Sequence, residues 1–304
     1  YPLRRQRQMC IRDRAETMKP YEILEGAVDL HIHAGPDLFP RELDEEDVAR
    51  QAEEIGMRAV LFKSHFTTNA DRVYMLRKRF QGIGLYGSVV LNKSVGGINP
   101  EAVFSALNLG AVRVEMPTVD SKQHIQKLGR TYPWSEIKLP ETEGITILDG
   151  KGELIPEIRK VAELVAAHDA ILCTGHLTVP EMFALIEEAK EAGVKKVLVT
   201  HAELDVVSVS KEDQRRMADM GAYIEHSFTP CTHLRQRLDP RRIIEAIEYV
   251  GAERCVMSSD MGQPVNPIPR EGFRMFVKTM LHLGIAQGDV DLMIKENPAK
   301  LLGI

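Results

Sequence analysis

The stretch Val28-Asp29-Leu30-His31-Ile32-His33-Ala34-Gly35-Pro36 decides how the rest of the chain is read. Side chains on a β-strand alternate between faces with a period of two, so His31 and His33 share a face and their imidazoles can share one ion. Val28, Leu30 and Ile32 then occupy the opposite, packed face, and Gly35-Pro36 ends the strand just after the second histidine. That places the pair at a strand C-terminus, where α/β proteins keep their chemistry. A strand with two histidines satisfied by ordinary core hydrogen bonds would look the same locally, so the choice rests on the rest of the chain.

Beyond residue 27, short β-branched runs alternate with amphipathic helical stretches, the mark of repeated βα units. Strands are expected at Val28 to His33, Ala59 to Lys63, Leu85 to Leu91, Val112 to Glu115, Ala170 to Thr174, Val197 to His201, Tyr223 to His226 and Cys255 to Ser259. Helices are expected at Leu43 to Ile55, Thr68 to Phe80, Pro100 to Leu109, Ile155 to His168, Pro180 to Ala192, Lys211 to Met220, Arg241 to Val250 and Gly272 to Leu283. Glycines at 56, 110, 193, 221, 251 and 284 follow helices, where a left-handed cap is needed. This beat predicts an α/β fold, a closed (β/α)8 TIM barrel. A doubly wound open sheet is the alternative, but no G-x-G-x-x-G turn follows the first strand.

Two spans break the pattern. Residues 1–17 mix arginines and glutamines without an apolar period, and are expected to be a non-native or disordered extension. A single barrel domain, 18–304, then begins at Met18. Residues 117–152, with Pro133, Trp134 and Pro140 among many polar residues, are too long for an ordinary βα loop. They are expected to form a lid-like insertion or pocket wall over the fourth strand.

Composition narrows the function classes. The 304 residues hold 44% hydrophobic and 27% charged residues, ordinary for a globular chain with a large core. A net charge of -5 argues against a nucleic-acid-binding face and favours a small-molecule substrate. No apolar run approaches membrane-spanning length, so no membrane partner is expected. The four cysteines show no CxxC or zinc-knuckle spacing and read as free thiols in a reducing cytoplasm. A homo-oligomer is left open.

Further chemistry-bearing groups fall at strand ends: Glu115 in Val114-Glu115-Met116, His176 in Thr174-Gly175-His176, His201 in Val199-Thr200-His201, and Asp260 in Ser258-Ser259-Asp260. In a barrel all strand ends meet at one mouth, so these widely spaced residues converge with His31 and His33. Any one such histidine is commonly structural. Four of them with an aspartate, spread over different βα units, point to metal binding. Lys63, His65, Lys93 and His226 also follow strands and are expected to line the same mouth as substrate-binding groups. Lys63 and Lys93 suit an anionic group, whereas Arg235 and Arg237 read as solvated surface cations.

This set resembles the amidohydrolase superfamily of metal-dependent hydrolases, from about residue 27 to the C-terminus. That pattern is His-x-His after strand 1, a carboxylate or carboxylated lysine after an intermediate strand, histidines after strands 5 and 6, and aspartate after strand 8. His31, His33, His176, His201 and Asp260 match it in order, and His201-Ala202-Glu203-Leu204-Asp205 is most similar to its phosphotriesterase and lactonase side. The chain departs from the pattern at the bridging ligand, where Glu115 stands in place of a lysine. Glu115 could bridge two ions or hold Arg113, and a carboxylated Lys63 is the competing bridge.

The resemblance implies one or two divalent ions per chain, zinc or manganese, and a metal-activated water that cleaves an amide, ester, lactone or related bond. It also implies Asp260 as general base, with His226 or His65 facing the developing charge. A metal-dependent decarboxylase on the same barrel and a phosphotriesterase-type hydrolase are the alternatives. A metal-binding barrel without turnover is the non-enzymatic one.

Overall fold

The structure is a computed structural model that describes residues 21–130, 132, 135–233 and 235–304. The expectations for residues 1–17, Pro133 and Trp134 lie outside the described residues. Eight strands, β1 (Val28–Ile32), β2 (Ala59–Phe62), β3 (Gly84–Val90), β4 (Ala111–Glu115), β5 (Ile171–Cys173), β6 (Val197–Val199), β7 (Tyr223–Ser227) and β8 (Cys255–Ser258), form one sheet in sequence order. Every pair is parallel. The barrel closes where β1 meets the end of β8: the His33 N–H donates to the Met261 carbonyl at 2.8 Å and the Asp260 N–H to the His31 carbonyl at 2.9 Å. The fold is the (β/α)8 barrel that the alternating pattern predicts.

Helices α1 (Glu45–Glu54), α2 (Ala70–Leu76) and α3 (Pro100–Asn108) follow the first three strands. Two, α4 (Lys122–Leu128) and α5 (Pro156–Ala167), follow β4. Then come α6 (Val179–Glu191), α7 (Lys211–Asp219), α8 (Arg241–Val250) and α9 (Pro269–Leu283). Their starts carry side-chain caps where the chain offers an acceptor. Asp44 accepts the Asp47 N–H at 2.7 Å, Ser121 accepts the His124 N–H at 3.0 Å, and Thr178 with Glu181 forms a reciprocal capping box. Helix α9 begins three residues earlier than the pattern suggests, because Pro269 is well suited to a first turn whose N–H needs no partner.

The short helices α10 (Gln287–Asp291) and α11 (Asn297–Leu302) flank a π-helical turn at Leu292–Glu296 and were not expected from the sequence pattern. Asn297 donates its amide to the carbonyls of Ala252 and Cys255 at 2.9 and 2.8 Å. This brings Ala299 and Leu301 into the same buried cluster as Val28, Leu30, Ala59 and Val256. The barrel is thus stoppered at the N-terminal ends of its strands, and its chemistry is confined to the other end.

Strict alternation fails in two strands, and both failures shape the site. Between Asp29 and Ile32, β1 uses one residue more than β2, a bulge that lets Leu30 and His31 both face the barrel interior. Leu30 therefore packs inward rather than opposite the histidines, while Ile32 packs outward with the helix-facing core. Asp29 stabilises the bulge: one carboxylate oxygen accepts the His31 and Ser259 N–H groups, each at 3.1 Å. A second register shift between β3 and β4 turns Arg113 and Glu115 inward together. Among the described residues no helix is long and apolar enough to cross a membrane, and Cys173, Cys231 and Cys255 are free thiols.

Candidate active site

At the C-terminal mouth, His31, His33 and Asp260 come together. One Asp260 oxygen lies 3.2 Å from His31 Nε2 and 3.2 Å from His33 Nε2, and the donor atoms of all three residues lie within 4.8 Å of one another. Across the mouth, His176 Nε2 and His201 Nε2 face each other at 3.1 Å, and the His31 and His201 rings are 5.6 Å apart. Two of these residues sit on strained backbone, since His201 has φ +32° and Asp260 φ +53°. Glycines make room for the others. A Cβ on Gly175 would lie 2.3 Å from the Met116 carbonyl, and one on Gly262 only 1.8 Å from the His33 carbonyl. The loops that carry His176 and pack on His33 therefore tolerate no side chain there.

Three of these imidazoles are oriented by their other nitrogen, while His201 Nδ1 is buried without a hydrogen-bond partner among the described residues. His31 donates from Nδ1 to the Glu225 carboxylate at 3.2 Å, and His33 from Nδ1 to the Lys63 carbonyl at 3.1 Å, so both leave Nε2 as a lone pair. Glu225 is itself fixed by Ser258 Oγ at 2.8 Å and the His201 N–H at 3.0 Å. His176 Nδ1 lies 2.7 Å from His124 Nδ1, and His124 Nε2 lies 2.9 Å from the Tyr132 hydroxyl. Burial, reinforced by Lys63, Arg41 or the neighbouring histidines, pushes His31, His33, His65 and His176 well below the usual histidine range and His201 down to about 3. These imidazoles are neutral at pH 7, the form that binds a metal ion.

Beneath the mouth lies a buried ion network. Lys63 Nζ donates to Glu115 at 2.8 Å and to His31 Nε2 at 3.1 Å. Arg113 lies 3.0 Å from the other Glu115 oxygen and 3.9 Å from Glu225, and donates to the Leu30 carbonyl at 2.7 Å. Glu115 is thus held between two cations, outside the His31, His33 and Asp260 cluster. The β4 register shift turns Arg113 inward beside it, so Glu115 has two cationic partners below the mouth where it was expected as a metal ligand. A carboxylated Lys63 would set a second anion against Glu115, which like-charge repulsion opposes.

Two other expected site residues are placed elsewhere. His226 follows the inward-facing Glu225 and so points out of the barrel, where it pairs with Glu203 at 2.9 Å and approaches Cys255 Sγ at 3.3 Å. It does not line the cavity. Lys93 lies on a one-turn 3-10 helix, Lys93–Val95, with its side chain exposed. Asn92 takes the inward position and donates to the His65 carbonyl and Thr118 Oγ1.

His65 stacks on His33 at 4.7 Å, and Thr118 Oγ1 lies 2.8 Å from His65 Nδ1. Thr118 Oγ1 accepts from Asn92 and keeps an O–H and a second lone pair, so it can partner His65 Nδ1 in either tautomer. The cavity over the site measures about 590 Å³ counted to its open mouth. The 117–152 span contributes Val119, His124 and Tyr132 to its wall, and the loop after β1 contributes Phe39 and Arg41.

Glu225, His124 and Arg41 were not singled out by sequence reasoning. Glu225 could have been found as an acidic residue in the middle of an expected strand. His124 and Arg41 carry no such mark, because loop path alone brings them in.

The chain is thus a (β/α)8 barrel with His-x-His after β1, histidines after β5 and β6 and aspartate after β8 gathered at one mouth. Residues 26–225 match a family of unknown function, DUF6282, and the chain belongs to that family. No curated protein matches it. Among solved structures it is similar to an amidohydrolase from Pseudomonas aeruginosa, at 14% identity over 94% of this chain and 98% of that one with a TM-score of 0.61. A 2,6-dihydroxybenzoate decarboxylase from Rhizobium gives 13% identity over 92% and 99%, TM-score 0.54. A dihydroxybenzoic acid decarboxylase from Polaromonas sp. JS666, with bound manganese and the inhibitor 2-nitroresorcinol, gives 12% over 92% and 97%, TM-score 0.56. At these identities the shared property is the fold.

Proposed function

We propose that the protein is a metal-dependent hydrolase of small molecules. His31, His33 and Asp260 hold a divalent ion, and His176 and His201 supply further donors to the same or a second ion. The observation that carries this reading is the spacing of the donor atoms. Four ligands at ~2.0 Å around a tetrahedral ion lie ~3.3 Å apart, and the His31 to Asp260, His33 to Asp260 and His176 to His201 separations are 3.2, 3.2 and 3.1 Å. The His176 and His201 Nε2 atoms are at hydrogen-bond distance while one of them carries a proton, and with both protons on Nδ1 the same pair offers two lone pairs to a cation. When bound, the ion supplies a water of lowered pKa and a Lewis acid for the substrate carbonyl.

The chain's own residues do the rest. Asp260, at the cavity surface, accepts the proton of the attacking water and returns it to the leaving group. His65 faces the cavity as a neutral imidazole and in its Nε2–H tautomer donates to developing negative charge. Glu225 and the Lys63 carbonyl keep His31 and His33 in their ligating tautomers. The sister structures that are decarboxylases favour one rival, loss of carbon dioxide from a carboxylate on the same donors.

Zinc- or manganese-loaded protein assayed against lactones, carboxylate esters, dipeptides and aromatic carboxylates separates the two. Turnover of a lactone, ester or amide without carbon dioxide supports the hydrolase. Release of carbon dioxide from the carboxylates, with the others inert, contradicts it.

A further inference from the structure

The cations around the cavity are not equivalent. Lys63 is neutralised by Glu115, and Arg41 donates to Asp37 through Nε at 3.0 Å and Nη2 at 2.7 Å. Arg113 lies below the cavity with Glu115 and Glu225. Arg235 also lines the cavity, half-buried, and has no ion-pair partner among the described residues. Its neighbour Arg237 is exposed, so of the two arginines read as surface cations only one behaves as such.

The surroundings of Arg235 say what would pair with it. Phe39 and Tyr132 pack at 4.4 Å, with Phe66 edge-on to Phe39 at 4.9 Å, and Val119 and Leu204 extend the apolar wall. The Arg235 charge reaches this wall: after burial, it is the largest influence holding His124 down to about 3. A half-buried guanidinium that shares a cavity with an aromatic wall gains from an anion, with which it forms strong two-pronged bonds. A single guanidinium against an apolar wall suits a carboxylate on a flat apolar body, whereas a phosphate calls for more donors than Arg235 alone offers.

We propose that Arg235 anchors a carboxylate of the substrate, with an aromatic or similarly planar body lying along the Phe39 and Tyr132 wall and the scissile group toward Asp260. This deepens the hydrolase reading and rests on it for the reaction, but the anchor itself needs no metal.

The test is binding of benzoate, benzamide and phenyl phosphate to the full chain by calorimetry, metal-loaded and chelator-treated, for the wild type, Arg235→Met and Arg235→Lys. The expected result is a preference for benzoate over benzamide of roughly tenfold or more, kept without metal, abolished in Arg235→Met at unchanged metal content and partly restored in Arg235→Lys. A preference that survives Arg235→Met, or that vanishes on metal removal, overturns the proposal, because the carboxylate is then held elsewhere. Absent benzoate binding at millimolar concentration overturns it, as does an Arg235-dependent preference for phenyl phosphate over benzoate. A protein that takes up no metal yet keeps the Arg235-dependent preference retains the anchor and loses the hydrolase reading.

Discussion

Replacing His124 by Phe removes the one hydrogen-bond partner, among the described residues, of the outer nitrogen of His176, and the consequence can be worked from distances. For His176 to present an Nε2 lone pair toward His201, its Nδ1 must carry the proton and donate it to His124 Nδ1, 2.7 Å away. His124 then carries its own proton on Nε2 and donates to the Tyr132 oxygen at 2.9 Å. His124→Phe leaves the buried His176 N–H without an acceptor, a cost of about 1–3 kcal/mol whenever the ligating tautomer is populated. That is roughly a 5- to 150-fold loss of metal affinity, in line with the 10–100-fold typical of lost outer-shell partners. Competition titration with a chromophoric zinc chelator reads it directly, with thermal unfolding as the control for fold. His124→Asn places an acceptor where Nδ1 was and is expected to recover most of the affinity. Wild-type zinc affinity in a well-folded His124→Phe variant would refute the reasoning.

Three further outcomes follow from the same geometry. Glu115→Gln, which breaks a buried pair shared by Lys63 and Arg113, is expected to cost about 3–5 kcal/mol, a fall in Tm on the order of 10 °C, with metal stoichiometry unchanged; a halved metal content would make Glu115 a ligand after all. His226 feels burial pulling its pKa down, but Glu203 and Cys255 outweigh it and hold the group up at about 10. Since that lies above the unfolded value of 6.5, the stabilisation is complete below pH ~6.5 and is lost as pH rises through ~10, at up to about 1.4 kcal/mol per pH unit. His226→Gln should flatten denaturation free energies over that window, and an identical pH slope in the variant would contradict the pairing. Asp260→Asn is expected to lose roughly 10²–10⁴-fold in kcat, and near-normal turnover with metal retained would assign proton transfer to another group.

Much of the architecture can be read from the chain because each βα unit carries its own punctuation. The eight strands appear where β-branched runs predict them, and helix ends shift by a few residues as capping and proline chemistry dictate. The short helices α10 and α11 escape such reading, since a π-helical turn and six residues around Asn297-Pro298 leave no helical period to detect.

At the site, position at a strand end was enough to single out His31, His33, His176, His201, Asp260, Lys63 and His65, because a barrel gathers those ends whatever its details. Facing was harder to read. A period of two has two phases, and the bulge in β1 changes the phase midway without altering the residue pattern. In β7 the same ambiguity made His226 look like the site residue when Glu225 is the one turned inward. His124, Arg41 and Arg235 arrive from loops, whose paths are settled by tertiary packing rather than by local sequence.

The mouth is expected to bind a divalent transition metal through the His31, His33 and Asp260 donors. Elemental analysis of protein purified without chelator, and again after zinc or manganese is offered and excess removed, tests it most directly. At least one ion per chain in the wild type, and loss of that ion in a folded His31→Ala/His33→Ala variant, is the result this structure predicts. A wild-type metal content near zero after both additions, or a full complement retained by the double variant, would contradict it.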